Sequence, residues 1–113
     1  MAASKKTRKY LESDLYSVIK KDLQDQLERN GTVGEYYTDL VNDYMDMWVT
    51  KCLLVDDLQK RGVTVKYDNG GGQKGIKKND SIEQRLRVND QMLKILDKIG
   101  IKPSSAGDED DDL

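Results

Sequence analysis

The sequence lacks the residues on which most catalytic and metal sites depend. It contains no His and a single Cys, Cys52, among 113 residues. Histidine is the commonest general base and metal ligand, and one cysteine without such partners cannot form a usual zinc site. Asp and Glu are plentiful but fall mostly on predicted solvent faces. We therefore expect no enzyme activity, no cofactor and no metal.

Long hydrophobic runs and a second cysteine are missing as well. No apolar run approaches the length needed to span a membrane, and the N-terminus has no hydrophobic signal segment. Because Cys52 has no partner in the chain, an intrachain disulfide is excluded. Together these features predict a cytoplasmic protein with reduced thiols and no membrane partner.

The chain also has little apolar material from which to build a core. Hydrophobic residues make up 36%, charged residues 35%, and the mean hydropathy is −0.79, with no Phe and one Trp. Such a composition suits one small domain, and it suffices if subunits complete each other's cores. The composition is therefore compatible with a homo-oligomer.

Charge is concentrated at the two ends of the chain. The net charge is −2. Residues 1–12 are predicted to be a flexible basic arm, and residues 103–113 a disordered acidic tail, because neither can bury enough apolar surface. The charged residues of the arm are Lys5, Lys6, Arg8 and Lys9, and those of the tail are Asp108, Glu109, Asp110, Asp111 and Asp112. Opposite charges suggest different partners; the alternative is that both ends only aid solubility.

Between these ends, the sequence predicts a helical oligomerisation domain with a β-hairpin over residues 13–102. The first helix is predicted over 14–29, capped by Ser13 or Asp14 and ended by Asn30-Gly31. Its apolar stripe consists of Leu15, Val18, Ile19, Leu23 and Leu27.

The second helix, over residues 35–60, has an apolar arc wider than one stripe. Such a helix must be covered from two sides, and in a small chain one cover can be a neighbouring subunit. Tyr44, Trp48 and Val55 are therefore candidate interface residues. An ordinary central core helix explains the same pattern equally well.

A hairpin over residues 63–77 and a third helix from Ser81 to about Gly100 complete the domain. Val63, Val65 and Tyr67 alternate with polar residues, and Asp68-Asn69-Gly70-Gly71-Gly72 supplies a tight reversal. Because two strands alone are marginal in water, the hairpin should pack on helices or pair with a second copy. The third helix, capped by Asn79 or Asp80, contributes Leu86, Leu93 and Leu96 to the predicted oligomer interface, and Asn89 lies on its stripe or at a solvent-facing edge.

Two features of the sequence are candidates for nucleic-acid binding, the lysines around the hairpin and the first two helices. Lys74, Lys77 and Lys78 form a basic patch around the hairpin, which is either a DNA contact or a solvated charged face. The Gly-rich turn lacks the Gly-x-x-x-x-Gly-Lys-Ser/Thr pattern of a phosphate loop. The first two helices are also compatible with a helix-turn-helix DNA-binding motif, although the second helix is longer and more apolar than a typical recognition helix.

Several segments, taken in order, resemble the phage terminase small subunit family. They are YYTDLVNDYM at 36–45, RGVTV at 61–65, KNDS at 78–81, QMLKIL at 91–96 and GIKPSS at 100–105. The resemblance covers about residues 10 to 105. It implies a non-catalytic, ring-forming homo-oligomer in viral genome packaging that binds double-stranded phage DNA and recruits the large ATPase/nuclease subunit. The family's common N-terminal helix-turn-helix is not evident here.

On this hypothesis the basic arm and hairpin lysines contact DNA phosphates, while the acidic tail contacts the large subunit or competes with DNA for the arm. Two alternatives stay open. One is a structural virion or scaffold protein without DNA affinity, and the other is a small helix-turn-helix regulator that binds as a dimer.

Overall fold

The computed structural model describes residues 4–102 of the chain. Within them lie four helices and one two-stranded antiparallel sheet, which confirms the predicted mainly α fold with a β-hairpin. The elements are α1 Lys5–Leu11, α2 Asp14–Arg29, α3 Glu35–Arg61, β1 Thr64–Asp68, β2 Lys74–Lys78 and α4 Ser81–Lys98. The acidic tail lies outside the described residues.

Capping chemistry sets the ends of α2 as the sequence predicts. The Ser13 side chain accepts a hydrogen bond from the Tyr16 backbone N–H at 3.2 Å. At the other end Gly31 adopts φ +72°, and the Thr32 N–H reaches back to the Leu27 carbonyl at 2.9 Å. This left-handed closure satisfies carbonyls that the last helical turn leaves free.

The long α3 is the element on which the other helices pack. At 27 residues it is about 40 Å long. Its buried positions Val41 and Met45 meet Leu23 and Leu27 of α2, and α4 packs along the same helix. The core residues are Leu23, Leu27, Val41, Met45, Ile95 and Ile99. Within one chain, α3 is therefore a central core helix. The other explanation, cover by a neighbouring subunit, stays a prediction.

The apolar residues of α4 fall on two faces rather than on one stripe. Met92, Ile95 and Ile99 face the core, whereas Leu86 is 66% and Leu93 57% exposed. Adjacent helical positions differ by about 100° in direction, so a face centred on Met92 cannot include Leu93. The helix therefore carries two apolar faces, of which one is uncovered in the single chain.

The predicted stripe of α2 shows a similar difference at its N-terminal end. Leu15 and Val18 are 57% and 53% exposed, although Leu23 and Leu27 are buried. Tyr16 and Ile19 of the first turns pack against the same cluster as Leu23 and Leu27, so the buried face of α2 follows 16, 19, 23 and 27, and Leu15 and Val18 lie to one side of it.

The hairpin makes few contacts with the helices of its own chain, and the packing on helices or pairing with a second copy expected for it stays a prediction. Val63, predicted to lie on a buried face, is 66% exposed, and Val65 and Tyr67 are half-buried. The turn needs positive φ at three successive positions, Gly70, Gly71 and Gly72. The absence of side chains there lets the chain reverse without strain.

Residues 5–11, which lie within the predicted flexible basic arm, form α1. Ser4 caps this short helix by accepting a hydrogen bond from the Thr7 N–H at 3.1 Å. A seven-residue helix is unstable alone. It persists because it packs against α3.

Candidate nucleic-acid and assembly surfaces

The basic residues of the N-terminal segment stand on the outer face of α1. Lys5, Lys6, Arg8 and Lys9 are exposed, and no acidic residue lies within Lys5–Leu11. Thr7 and Tyr10 are half-buried and share the opposite face, since they are three residues apart. The helix therefore presents its positive charge to solvent in a fixed direction. Such a surface attracts a polyanion.

Tyr10 holds this helix against α3. Its hydroxyl donates a hydrogen bond to the Asp56 carboxylate, which raises the pKa of Tyr10 to about 12. Its ring meets Trp48 edge-on with centroids 6.1 Å apart, and Tyr16 packs on the same indole at 5.9 Å. Sequence reasoning missed Tyr10 and Asp56. The cap residue Ser4 followed by helix-forming residues was the one local signal of α1.

A polar cluster around the buried Asn79 connects the elements at the base of the hairpin. We call Asp57, Arg61, Asn79 and Ser81 the hairpin anchor. Asn79 is fully buried; its side-chain amide donates to Asp57 Oδ2 and to the Gly62 carbonyl, both at 3.0 Å. Its Oδ1 accepts from the Ser81 backbone N–H at 3.0 Å. The anchor ties the end of α3 to the start of α4 across the hairpin.

The charge at the centre of the anchor is the Asp57 carboxylate. Arg61 donates to both of its oxygens, at 2.6 and 2.8 Å, and the Ser81 hydroxyl donates to Oδ2 at 2.7 Å. Hydrogen bonds from Arg61, then Ser81 and Asn79, hold the pKa of Asp57 well below its usual range. Asp57 is therefore an ionised structural group.

The three predicted hairpin lysines do not share one face. In the strand register Lys74 pairs with Asp68, Lys78 with Thr64, and Lys77 with Val65. Cross-strand partners point to the same side, so Lys74 and Lys78 lie on one face and Lys77 on the other. Lys74 Nζ is 3.8 Å from the Asp68 carboxylate, and Lys78 Nζ is 2.6 Å from that of Glu83.

The residues predicted to form an oligomer interface fall into two groups. Tyr44, Trp48 and Leu96 are half-buried against the core, and burial raises the pKa of Tyr44; Val55 is also half-buried. Leu86 and Leu93 are the exposed pair on α4. The structure of one chain leaves only that second group fully available to a partner.

Asn89 lies between α3 and α4, where its side-chain oxygen accepts a hydrogen bond from Lys51 Nζ at 2.9 Å. This bond links the two helices across their interface. Cys52, half-buried nearby on α3, has its thiol pKa raised by burial and by Asp56, with Lys51 opposing. A thiol in that state is a weak nucleophile.

Residues 4–102 hold no group of three or more His, Cys, Asp or Glu side chains arranged to bind a metal ion. Among the same residues, none of the helices is both long and apolar enough to cross a membrane. The predicted partner-binding tail residues, 108–112, lie outside the part that the structure describes.

Comparison with known proteins gives one match. A family model described as phage terminase, small subunit, matches residues 21–108, which is more than half of the chain. Neither the curated proteins nor the solved structures include a match. The match begins within α2 and includes α3, the hairpin and α4, and it leaves α1 outside.

Proposed function

Since the chain belongs to the phage terminase small subunit family, and so to the machinery that packages bacteriophage DNA, we propose that it is the non-catalytic, DNA-binding subunit of that machinery. In this role it forms a homo-oligomer in the host cytoplasm, binds the phage genome and recruits or regulates the large ATPase/nuclease subunit. The observation that carries the DNA-binding part is the exposed basic face of α1.

The α1 face supports DNA binding for two reasons. Its four cations project from a helix with no acidic residue of its own, and Tyr10 anchors that helix to α3. Contacts of this kind bind phosphates without reading sequence and weaken steeply with salt. Sequence selection then comes from other surfaces or from the shape of the DNA.

The test neutralises three α1 lysines together, Lys5→Gln, Lys6→Gln and Lys9→Gln, in the full chain. Glutamine keeps the helix propensity of lysine. The expected result is weaker binding of labelled duplex DNA, with the slope of log K against log salt reduced by about 2.7, since each phosphate contact contributes about 0.9.

A matched control removes the same charge elsewhere, with Lys20→Gln, Lys60→Gln and Lys98→Gln on the helices of the core. If the control and the α1 variant lower the slope equally, net charge rather than α1 determines binding, and the assignment fails. If the wild-type chain forms a defined oligomer but binds no duplex DNA at low salt, the structural virion protein is the better account.

The oligomer is supported by the second apolar face of α4. Leu86 and Leu93 are one heptad apart on one side of the helix, and both are more than half exposed. We expect native mass spectrometry of the full chain to show a ring-sized assembly. Leu86→Gln with Leu93→Gln should shift it to smaller species, whereas Val33→Gln, at a 77% exposed loop position, should not. A monomeric wild-type chain would contradict the proposal.

A further inference from the structure

We propose that the hairpin contacts duplex DNA with one defined face, and that Lys66 and Ile76, on that face, are DNA-contacting residues. This inference rests on the proposed function, because it names how the same protein engages DNA. It adds two residues to the basic patch and assigns Lys77 to the face turned away from DNA.

The two faces of the hairpin differ in exposure. On one face Val65 and Tyr67 are half-buried, and the Tyr67 ring lies over Gly75, where a Cβ atom would be 2.7 Å from it. On the other face every side chain is exposed; its members are Thr64, Lys66, Asp68, Lys74, Ile76 and Lys78. The second set is the outer face of the hairpin.

The outer face is positively charged with an apolar centre. Ile76 is 68% exposed, lies directly across from Lys66, and has Lys74 and Lys78 two residues away on its own strand. Asp68 is the one acidic residue of this face. Lys74 and Lys78 each meet an acid, whereas Lys66 makes no ion pair within residues 4–102. The charge complements a polyanion rather than a hydrophobic protein surface.

The shape of the hairpin also fits a nucleic-acid groove. A two-stranded ribbon is narrow enough to enter the major groove, which is about 12 Å wide. The ribbon makes few contacts with the helices, and the hairpin anchor holds its base, so it can enter a groove without rearranging the core. A hollow of about 420 Å³, lined in part by Arg61, Lys66 and Ile76, opens beside it.

These observations give each residue a role. The ammonium group of Lys66 contacts a phosphate, as do Lys74 and Lys78 on the same side of the ribbon. Ile76 makes apolar contact with base edges, such as a thymine methyl group in the major groove. An exposed isoleucine with lysines on its neighbouring positions is suited to contact DNA, because the bases are the apolar part of an otherwise anionic partner.

The test measures fluorescence anisotropy of a labelled duplex about three helical turns long, with full-length protein. Lys66→Gln is expected to lower the slope of log K against log salt by about 0.9. Ile76→Thr, which keeps β-branching, is expected to lose affinity on the order of tenfold without changing that slope, since it removes apolar rather than ionic contact.

Matched controls lie off the outer face, at Val63 just before β1 and at Lys77 on the other face of the hairpin. Val63→Thr changes an equally exposed aliphatic residue, 66% against 68%, and should leave affinity unchanged. Lys77→Gln should lower the salt slope by less than Lys66→Gln does. Circular dichroism melting of each variant checks that the fold is retained.

Three outcomes overturn the inference. In the first, Lys77→Gln equals or exceeds Lys66→Gln. In the second, Ile76→Thr binds DNA as well as Val63→Thr. In the third, Ile76→Thr reduces the size of the oligomer on native mass spectrometry, which makes this face a contact between copies. If the wild-type chain binds no duplex at all, the proposed function fails first, and that result is distinct from these three.

Discussion

Replacing Asn79 with Ala should be among the most destabilising polar substitutions in this chain. Asn79 is 0% exposed, and its side chain makes hydrogen bonds of 3.0 Å to the Gly62 carbonyl, the Ser81 N–H and the Asp57 carboxylate. Loss of the amide leaves two backbone groups without a partner inside the protein. It also removes one hydrogen-bond donor from the Asp57 carboxylate.

The expected magnitude follows from the two bonds to backbone groups. Each backbone bond is worth about 1 kcal/mol. The bond to the Asp57 carboxylate is left out of the sum, because that side chain is 29% exposed and solvent screens its charge. The free energy of unfolding should therefore fall by about 2 kcal/mol, a substantial part of the stability of a small domain.

The assay is urea unfolding followed by circular dichroism at a fixed subunit concentration, because an oligomer makes stability depend on concentration. Asn42→Ala, at an exposed position of α3, is the control and should change stability by less than about 0.5 kcal/mol. A loss below about 1 kcal/mol for Asn79→Ala would show that the buried network does not hold the hairpin as argued.

Three further predictions concern the anchor and α1. Because hydrogen bonds hold the pKa of Asp57 in the folded chain well below its usual range, its ionised form stabilises the fold above the usual Asp pKa, and this contribution is lost as pH falls from there through the folded value. Asp57→Asn should therefore lose stability at pH 7, and the difference in free energy of unfolding from wild type should narrow below about pH 4 in unfolding titrations. A difference that stays constant with pH would contradict this. Tyr10→Ala should shift the emission of Trp48, the single Trp, to longer wavelength, and an unchanged spectrum would show that α1 does not cover the indole. Tyr10→Phe keeps the ring and loses only the bond to Asp56, so it should leave the emission near wild type and reduce stability by about 1 kcal/mol in urea unfolding.

The parts of the fold that depend on local chemistry could be predicted from the sequence. Ser13 and Asn30-Gly31 define α2, and the run of glycines after Asp68 defines the turn of the hairpin. Caps and turns involve residues close together in the chain, so their signals can be read without a tertiary structure.

The parts of the fold that depend on contacts between residues far apart in the sequence could not be predicted from it. Tyr10 and Asp56 are 46 positions apart, and no local pattern indicates that they meet. The sequence identified Asn79 only as a possible helix cap, because its partners Asp57 and Gly62 lie far from it along the chain. The exposed Leu86 and Leu93 could not be separated from Met92 and Ile95 by spacing alone, since α4 has two apolar faces.

The measurement that tests the central claim most directly is mass photometry of a mixture of this protein, duplex phage DNA and the large terminase subunit of the same phage. The account predicts a complex containing all three, which forms with the large subunit only when this protein is present. The three-lysine α1 variant should weaken its DNA component. A large subunit that binds the DNA equally well without this protein, and never binds this protein itself, would contradict the account.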